Sequence, residues 1–285
     1  MKPAYLTPQA IHEFIAAALA EDIGPGDYSS LAAIPADKLG KAKLLLKDEG
    51  IIAGVEMAGH IFKAVDPRLE VEFLVEDGDL VKEGDIGLIV RGPAASILSA
   101  ERLVLNCMQR MSAIATKTYR LNQLIAHTNA KLMDTRKTTP NFRLMEKWAV
   151  HIGGGVNHRF ALYDMVMLKD NHVDFAGGIQ QAISQTRSYL DKNGLNLKIE
   201  IETRSLDEVS QVLKVGGVDY IMLDNMDFET MREAVRMIDG KYKTEASGGI
   251  TEDTLAAVAE CGVNYISMGA LTHSVSSLDI SLKAF

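Results

Sequence analysis

Cysteine, tryptophan and uninterrupted apolar sequence are what this chain of 285 residues has least of. Its two cysteines, Cys107 and Cys261, lie far apart in apolar surroundings, so neither a disulfide framework nor a thiolate metal cluster is expected. Buried thiols in a reducing cytoplasm fit that count. No run approaches the ~20 apolar residues of a membrane span, and the opening MKPAYLTPQAIHEF lacks the apolar core of a signal peptide. Basic residues are outnumbered, 30 against 38 acidic for a formal charge of -8, which excludes the extended basic face of a nucleic-acid or anionic-membrane binder. A cytoplasmic protein in solution is expected. Its 47% hydrophobic content suffices for one large core or for a barrel with a smaller domain.

Against this acidic background, residues 134 to 172 gather six Lys/Arg and only four acidic side chains. Arg136, Lys137, His158, Arg159 and Lys169 each border an apolar stretch or glycines, unlike a solvated charge run. The pattern predicts a receptor for a small anion.

Thr7-Pro8 reads as an N-cap and first helical position, with Ile11, Phe14, Ile15 and Leu19 on one face of a helix over 9–20. Residues 41–90 carry short β-like runs broken by glycines, with a helix near 55–65. After Gly92-Pro93, a segment without Gly or Pro predicts a long helix over roughly 96–126 that joins two domains. Beyond 130, six apolar runs (AKLMDT, YDMVMLKDN, LKIEIET, VDYIMLDN, YKTEASGG, VNYISMGA) alternate with helical stretches, so the sheet they form should be parallel. Repeat length favours a closed or nearly closed β/α barrel over an open doubly wound sheet, and periodicity alone leaves closure open.

In such a barrel chemistry gathers at the carboxyl ends of the strands. The runs end in Arg136-Lys137, Lys169-Asp170-Asn171, Glu202, Asp224-Asn225, Ser247-Gly248-Gly249 and Gly269. The last two resemble a barrel phosphate site, where small residues let backbone N–H groups approach oxygens. A matching ligand carries carboxylates or a polyphosphate for the bases, a terminal phosphate for the Ser-Gly-Gly turn, and hydroxyls or a bound Mg²⁺ for Glu202 and Asp224. Phosphoribosyl pyrophosphate with an acidic co-substrate meets all three demands. Plainer roles compete: Glu202 or Asp224 capping a helix or pairing with a base, and His158 as a core histidine. Gly153-Gly154-Gly155 lacks dinucleotide spacing and more plausibly bends the chain toward His158 and Arg159. Arg102, Asn106 and Arg110 form a polar stripe on the long helix, either a ligand contact or an interface.

Together, TRKTTP (135–140), GGGVNHR (153–159), KDNH (169–172), EIE (200–202), LDN (223–225), EASGGI (245–250), ISMG (266–269) and the helix text AERLVLNCMQRMSAIAT resemble the signatures of the quinolinate phosphoribosyltransferase family. The similarity runs from the first helix to the C-terminus. It implies an α/β protein in which an N-terminal open α/β sandwich domain (1–112) packs with an irregular parallel α/β barrel (113–272), residues 273–285 returning to the first domain. The implied reaction joins phosphoribosyl pyrophosphate to quinolinate with loss of CO₂, in a homodimer or hexamer whose active site is shared. By position, the resemblance puts the quinolinate carboxylates among Arg136, Lys137, His158, Arg159 and Lys169, with Thr135 in the same loop and Arg102 entering from a neighbouring subunit. Glu202 and Asp224 fall beside the ribose and its Mg²⁺, and Ser247, Gly248, Gly249, Met268, Gly269 and Ala270 around the 5′-phosphate. Lys137, Lys169, Glu202 and Asp224 are the implied catalytic groups. Asn141 and Ala113 stand where the family pattern has glycine. A paralogous pyrophosphorylase associated with molybdenum transport, a Schiff-base aldolase using Lys169, and a non-enzymatic sensor of acidic metabolites are the alternatives.

Overall fold

The computed structural model describes residues 2–285, which fold into two compact units. One holds the chain up to Tyr119 together with Lys137–Gly154 and Ala270–Phe285. The other holds Arg120–Arg136 and Gly155–Gly269.

In chain order the elements are α1 (Pro8–Asp22), α2 (Tyr28–Ala33), β1 (Leu39–Leu46), β2 (Gly50–Ile51), α3 (Val55–Val65), β3 (Glu70–Phe73), β4 (Leu80–Val81), β5 (Ile86–Pro93) and α4 (Ala94–Leu124). There follow β6 (Lys131–Met133), α5 (Arg143–Ile152), β7 (Val166–Leu168), α6 (Asp170–Ala176), α7 (Ile179–Lys192), β8 (Ile199–Thr203) and α8 (Leu206–Val215). The chain ends with β9 (Tyr220–Asp224), α9 (Phe228–Ile238), β10 (Lys243–Ser247), α10 (Glu252–Ala259), β11 (Tyr265–Ser267), α11 (Ala270–His273) and β12 (Ile280–Ala284).

In the first unit an antiparallel sheet runs β12-β1-β5-β3, so the last strand of the chain pairs with the first. Helix α1 starts as its sequence predicts, with the Thr7 hydroxyl accepting from the Ala10 N–H at 3.1 Å. Helix α4 starts two residues earlier than the composition suggests, because Ala94 follows Pro93 directly and continues as helix. It buries Val104, Cys107, Met108, Met111, Ile114 and Ala115, a stripe at three- and four-residue spacing. Ser112 and Thr116, one turn apart, present hydroxyls to the Ala53 and Ile51 N–H groups, each at 2.9 Å, and so satisfy backbone donors that β2 leaves unpaired. Ala113 is 6% exposed within this helix, where alanine is the better helix former by about 0.8 to 1 kcal/mol over glycine. Asn141 has φ 62°, the left-handed region, which explains why glycine is usual there and why asparagine is tolerated.

Gly153 ends α5 where helix and helix touch. A Cβ there would collide with the Ala115 carbonyl oxygen and stand 2.8 Å from Thr118 Cβ, atoms of α4 that cannot swing aside. Gly153→Ala is therefore expected to destabilise this unit by about 1 to 3 kcal/mol, read as a lower denaturant midpoint. An unchanged midpoint would show that the two helices can separate without cost.

The second unit is a six-stranded parallel sheet in the order β6-β11-β10-β9-β8-β7. Among the described residues no ladder joins β7 to β6, and the ring stays open there. Val156 lies against the free side of β6 through a parallel bridge to Met133, donating to Leu132 O at 2.8 Å. This gap is the irregularity of the barrel. Its apolar strand residues Leu132, Ile199, Ile201, Ile221, Leu223, Ala246 and Ile266 are all buried.

Candidate active site

Register decides which strand residues share a face. Across the ladders Met167 pairs with Glu200, Glu202 with Met222, Met222 with Glu245, Asp224 with Ser247, and Ser267 with Met133. Paired residues in a parallel sheet lie on the same side and alternate residues return to it. Glu200, Glu202, Asp224, Glu245, Ser247 and Ser267 therefore line one face, opposite the apolar set. Lys169, Gly269 and Thr135 follow the same parity just beyond β7, β11 and β6. The IEIET of β8 shows the rule in miniature, isoleucines to one side and glutamates to the other.

At the open edge, β6 runs directly into Asp134, which is fully buried. Its carboxylate accepts from Asn157 Nδ2 at 2.6 Å and from the His158 N–H at 2.9 Å. Asp134 thus ties the VNHR segment to the strand that carries Thr135 and Arg136. Gly154, at φ 85°, supplies the left-handed bend before it.

Arg159 donates from Nη1 to the Met165 carbonyl at 3.1 Å. Burial lowers its pKa first, and the Arg136 charge lowers it further, opposed in part by Glu200, Asp164 and Glu202. Two guanidiniums close enough to repel each other, with Arg136 Nε buried and lacking a hydrogen-bond partner, form an incomplete electrostatic unit that an anion would complete. Lys169 Nζ meets Glu202 Oε1 at 2.6 Å, with the lysine half exposed and the glutamate largely buried. The plainer role weighed for Glu202, pairing with a base, is thus present. Asp224 caps no helix, since Asp227 caps α9. Burial, then the charge of Glu202, raise the Asp224 pKa, while a hydrogen bond from Asn225 Nδ2 at 2.8 Å opposes the rise.

Asn225 has φ 53°, donates its N–H to Ser247 O at 2.9 Å, and packs its amide where a Cβ on Gly248 would have to stand. Gly248 (φ 93°) and Gly249 (φ 60°) are both left-handed, so the turn after β10 accepts only glycine without strain. Met268 is buried and its N–H donates to Met133 O at 3.0 Å, keeping Gly269 at the end of β11. Thr135, Arg136, His158, Arg159, Lys169, Glu202, Asp224, Ser247, Gly248, Gly249, Met268 and Gly269 thus belong to one unit. Arg102, Lys137 and Ala270 belong to the other, Arg102 and Lys137 exposed.

Deeper on the same face, His158 Nε2 lies 2.7 Å from Glu200 Oε2 and 3.5 Å from Glu245 Oε2. These three side chains could enclose a metal ion. However, the Arg159 N–H donates to His158 Nδ1 at 2.7 Å, which leaves the ring proton on Nε2, pointing at Glu200. A metal on Nε2 would force a proton onto Nδ1, against that N–H. The cluster holds protons instead: burial pushes Glu200 up to about 7 and Glu245 well above its usual value. A raised carboxyl favours the folded state while protonated, so this contribution is full below pH 4.5 and is lost as pH climbs through about 7. Urea midpoints should accordingly fall between pH 5 and pH 8, and Glu200→Gln should flatten the decline. An equal slope in the variant would assign the pH dependence elsewhere.

Asp134 lies in the apolar run AKLMDT and Glu245 opens EASGGI, and neither is among the expected site residues, while Asn225 is expected only as a strand-end neighbour of Asp224. Strand parity from Ser247 back to Glu245 was the available signal for one of them.

Two family models cover this chain: the N-terminal domain of quinolinate phosphoribosyl transferase over residues 27–112, and its C-terminal domain over 114–283. The chain belongs to the quinolinate phosphoribosyltransferase family. It is 46% identical to the mitochondrial quinolinate phosphoribosyltransferase [decarboxylating] 2 of Nicotiana glauca, over 99% of this chain and 84% of that one. Identity to the probable nicotinate-nucleotide pyrophosphorylase [carboxylating] of Bacillus subtilis is 43%, covering 92% and 89%. The solved nicotinate-nucleotide pyrophosphorylase of Francisella tularensis superposes with a TM-score of 0.91 at 35% identity, covering 100% of each chain. No helix among the described residues is long and apolar enough to cross a membrane.

Proposed function

We infer that this chain joins quinolinate to the ribosyl phosphate of phosphoribosyl pyrophosphate, releasing pyrophosphate and CO₂ and yielding nicotinate mononucleotide in de novo NAD biosynthesis. The observation that carries the reading is the pair of mutually repelling guanidiniums, Arg136 and Arg159, only partly offset by nearby acids, on a unit whose strand ends also carry Glu202 and Asp224. A pyridine with two adjacent carboxylates supplies the missing negative charge.

In this reading Arg136, Lys137, Arg159 and Lys169, with Thr135 in the same loop, receive the carboxylates. His158, expected among them, instead braces Arg159, because both of its ring nitrogens are engaged, with Glu200 and with the Arg159 N–H. The turn Ser247–Gly249 and the segment Met268–Ala270 hold the 5′-phosphate through backbone N–H groups. The C–O bond to pyrophosphate breaks, its electron pair leaving with the pyrophosphate, while the pyridine nitrogen lone pair forms the new C–N bond. Glu202 and Asp224 face the positive charge that develops on the ribose, and Lys137 and Lys169 the negative charge on the leaving group. The ring nitrogen is then cationic, so the adjacent carboxylate departs as CO₂ and the electron pair left on carbon takes a proton. Two carboxylates on neighbouring strands, one raised by burial and then by the other's charge, fit a hard cation with oxygen ligands. Glu202 and Asp224 would hold Mg²⁺, directly or through water or substrate, and the ion when bound offsets pyrophosphate charge.

Lys169 is half exposed and paired with Glu202, unlike the desolvated amine of a Schiff-base aldolase. A passive sensor leaves the carboxylates opposite the bases without a purpose. The chain should release CO₂ and form nicotinate mononucleotide in equal amounts from quinolinate, phosphoribosyl pyrophosphate and Mg²⁺. No product from quinolinate would point to a different acceptor, as in the pyrophosphorylase associated with molybdenum transport.

The active site is shared in a homodimer or hexamer, with Arg102, exposed on α4, entering a neighbouring subunit's site. Mixing Arg102→Ala with Lys169→Ala chains then leaves one intact site per mixed pair and should restore about a quarter of full turnover. No recovery after verified subunit exchange would remove Arg102 from the site.

A further inference from the structure

Arg110 lies on α4, one turn beyond Asn106 on the polar stripe, and its guanidinium is engaged within its own chain. Its Nε and Nη2 donate to Glu146 Oε1 at 3.1 and 2.9 Å, and Nη2 also donates to the Thr272 carbonyl at 2.6 Å. Glu146, fully buried, accepts from the Thr139 N–H at 3.1 Å and from its hydroxyl at 2.9 Å. Thr272, also fully buried, donates its hydroxyl to the Lys137 carbonyl at 2.7 Å. Arg143 Nε donates to the Thr138 hydroxyl at 2.9 Å. Three successive residues, Lys137, Thr138 and Thr139, are each tethered, while the Lys137 side chain remains exposed.

A buried ion pair is poor evidence of stabilisation, because desolvating both charges opposes their attraction. It is an effective way to hold a segment in one geometry when both carboxylate oxygens accept hydrogen bonds, as those of Glu146 do here. The same guanidinium holds α11, whose first residue, Ala270, follows the strand-end glycine. We propose that Arg110, Glu146 and Thr272 are positioning residues that clamp the Lys137–Thr139 backbone, so that the Lys137 ammonium meets the leaving pyrophosphate in one fixed orientation. The proposal rests on the role given to Lys137 above. Misplacing a reacting group by about 1 Å can cost 10²-fold in rate, so loosening one tether should be visible in turnover.

The test is a double-mutant cycle on the full-length enzyme with phosphoribosyl pyrophosphate varied at saturating quinolinate. Thr272→Val removes one hydroxyl at nearly constant volume and should lower kcat/KM about tenfold, less than full misplacement would. In a Lys137→Ala background the same change should cost less than about twofold, since no ammonium remains to be positioned. Thr272→Ser keeps the hydroxyl and should retain the normal rate. Thr139→Ala, at an exposed position, repeats the cycle should Thr272→Val fail to fold. Equal losses in both backgrounds, or no loss in either, overturn the clamp. A Lys137→Ala enzyme with normal turnover overturns the role of Lys137 itself, and the clamp with it.

Discussion

Arg159→Ala should weaken quinolinate binding by about 2 to 5 kcal/mol while phosphoribosyl pyrophosphate binding changes little, because a buried charge pair that loses one partner leaves the other unpaired. The guanidinium is already costly before ligand arrives: burial and the neighbouring Arg136 charge both act against it. A carboxylate is the group that removes both penalties at once. Arg136→Ala should behave alike, since its buried Nε–H finds no acceptor among the described residues. Calorimetry with each substrate separates the assignments. Equal losses for both substrates would mean that the two arginines support the fold of the site and do not read the acid.

Asp224→Asn should lower kcat by about 10² to 10³, the usual loss when one preorganised electrostatic group at a transition state is removed. The substitution keeps shape, and Asn225 Nδ2, 2.8 Å from Asp224 Oδ2, would then face an amide that can still turn its oxygen toward it. What disappears is negative charge at a strand end, where the ribose becomes positive. Glu202→Gln removes a second charge but also unpairs Lys169, so its effect should spread to quinolinate affinity as well. If Asp224→Asn instead raised KM and left kcat intact, the carboxylate would serve uniform binding of substrate and the electrostatic role would be wrong.

The elements were legible where a local rule governs them. Thr7-Pro8 announced α1, the Gly- and Pro-free stretch announced α4, and six apolar runs became six parallel strands. Charge inversion also marked the segments that carry Arg136, Arg159 and Lys169. What the sequence concealed depends on register. IEIET places Glu200 and Glu202 on one side, and parity puts Glu245 on the Ser247 side of its own strand, but it is the pairing of Met222 with Glu245 that brings this third glutamate to them behind His158. Asp134 was hidden for a related reason: its partners, Asn157 and the His158 N–H, lie more than twenty positions along the chain. Arg110 looked like one more member of a polar helical stripe, and only its buried partner Glu146 distinguishes it from exposed Arg102.

The central claim is that paired guanidiniums read two neighbouring carboxylates on one pyridine. Comparing kcat/KM for quinolinate and for nicotinate, which lacks the carboxylate beside the ring nitrogen, tests it most directly. A preference for quinolinate of about 10⁴ is predicted, as for sites whose buried polar groups are left unpaired by the lesser substrate. Comparable kcat/KM values for the two acids would contradict the account.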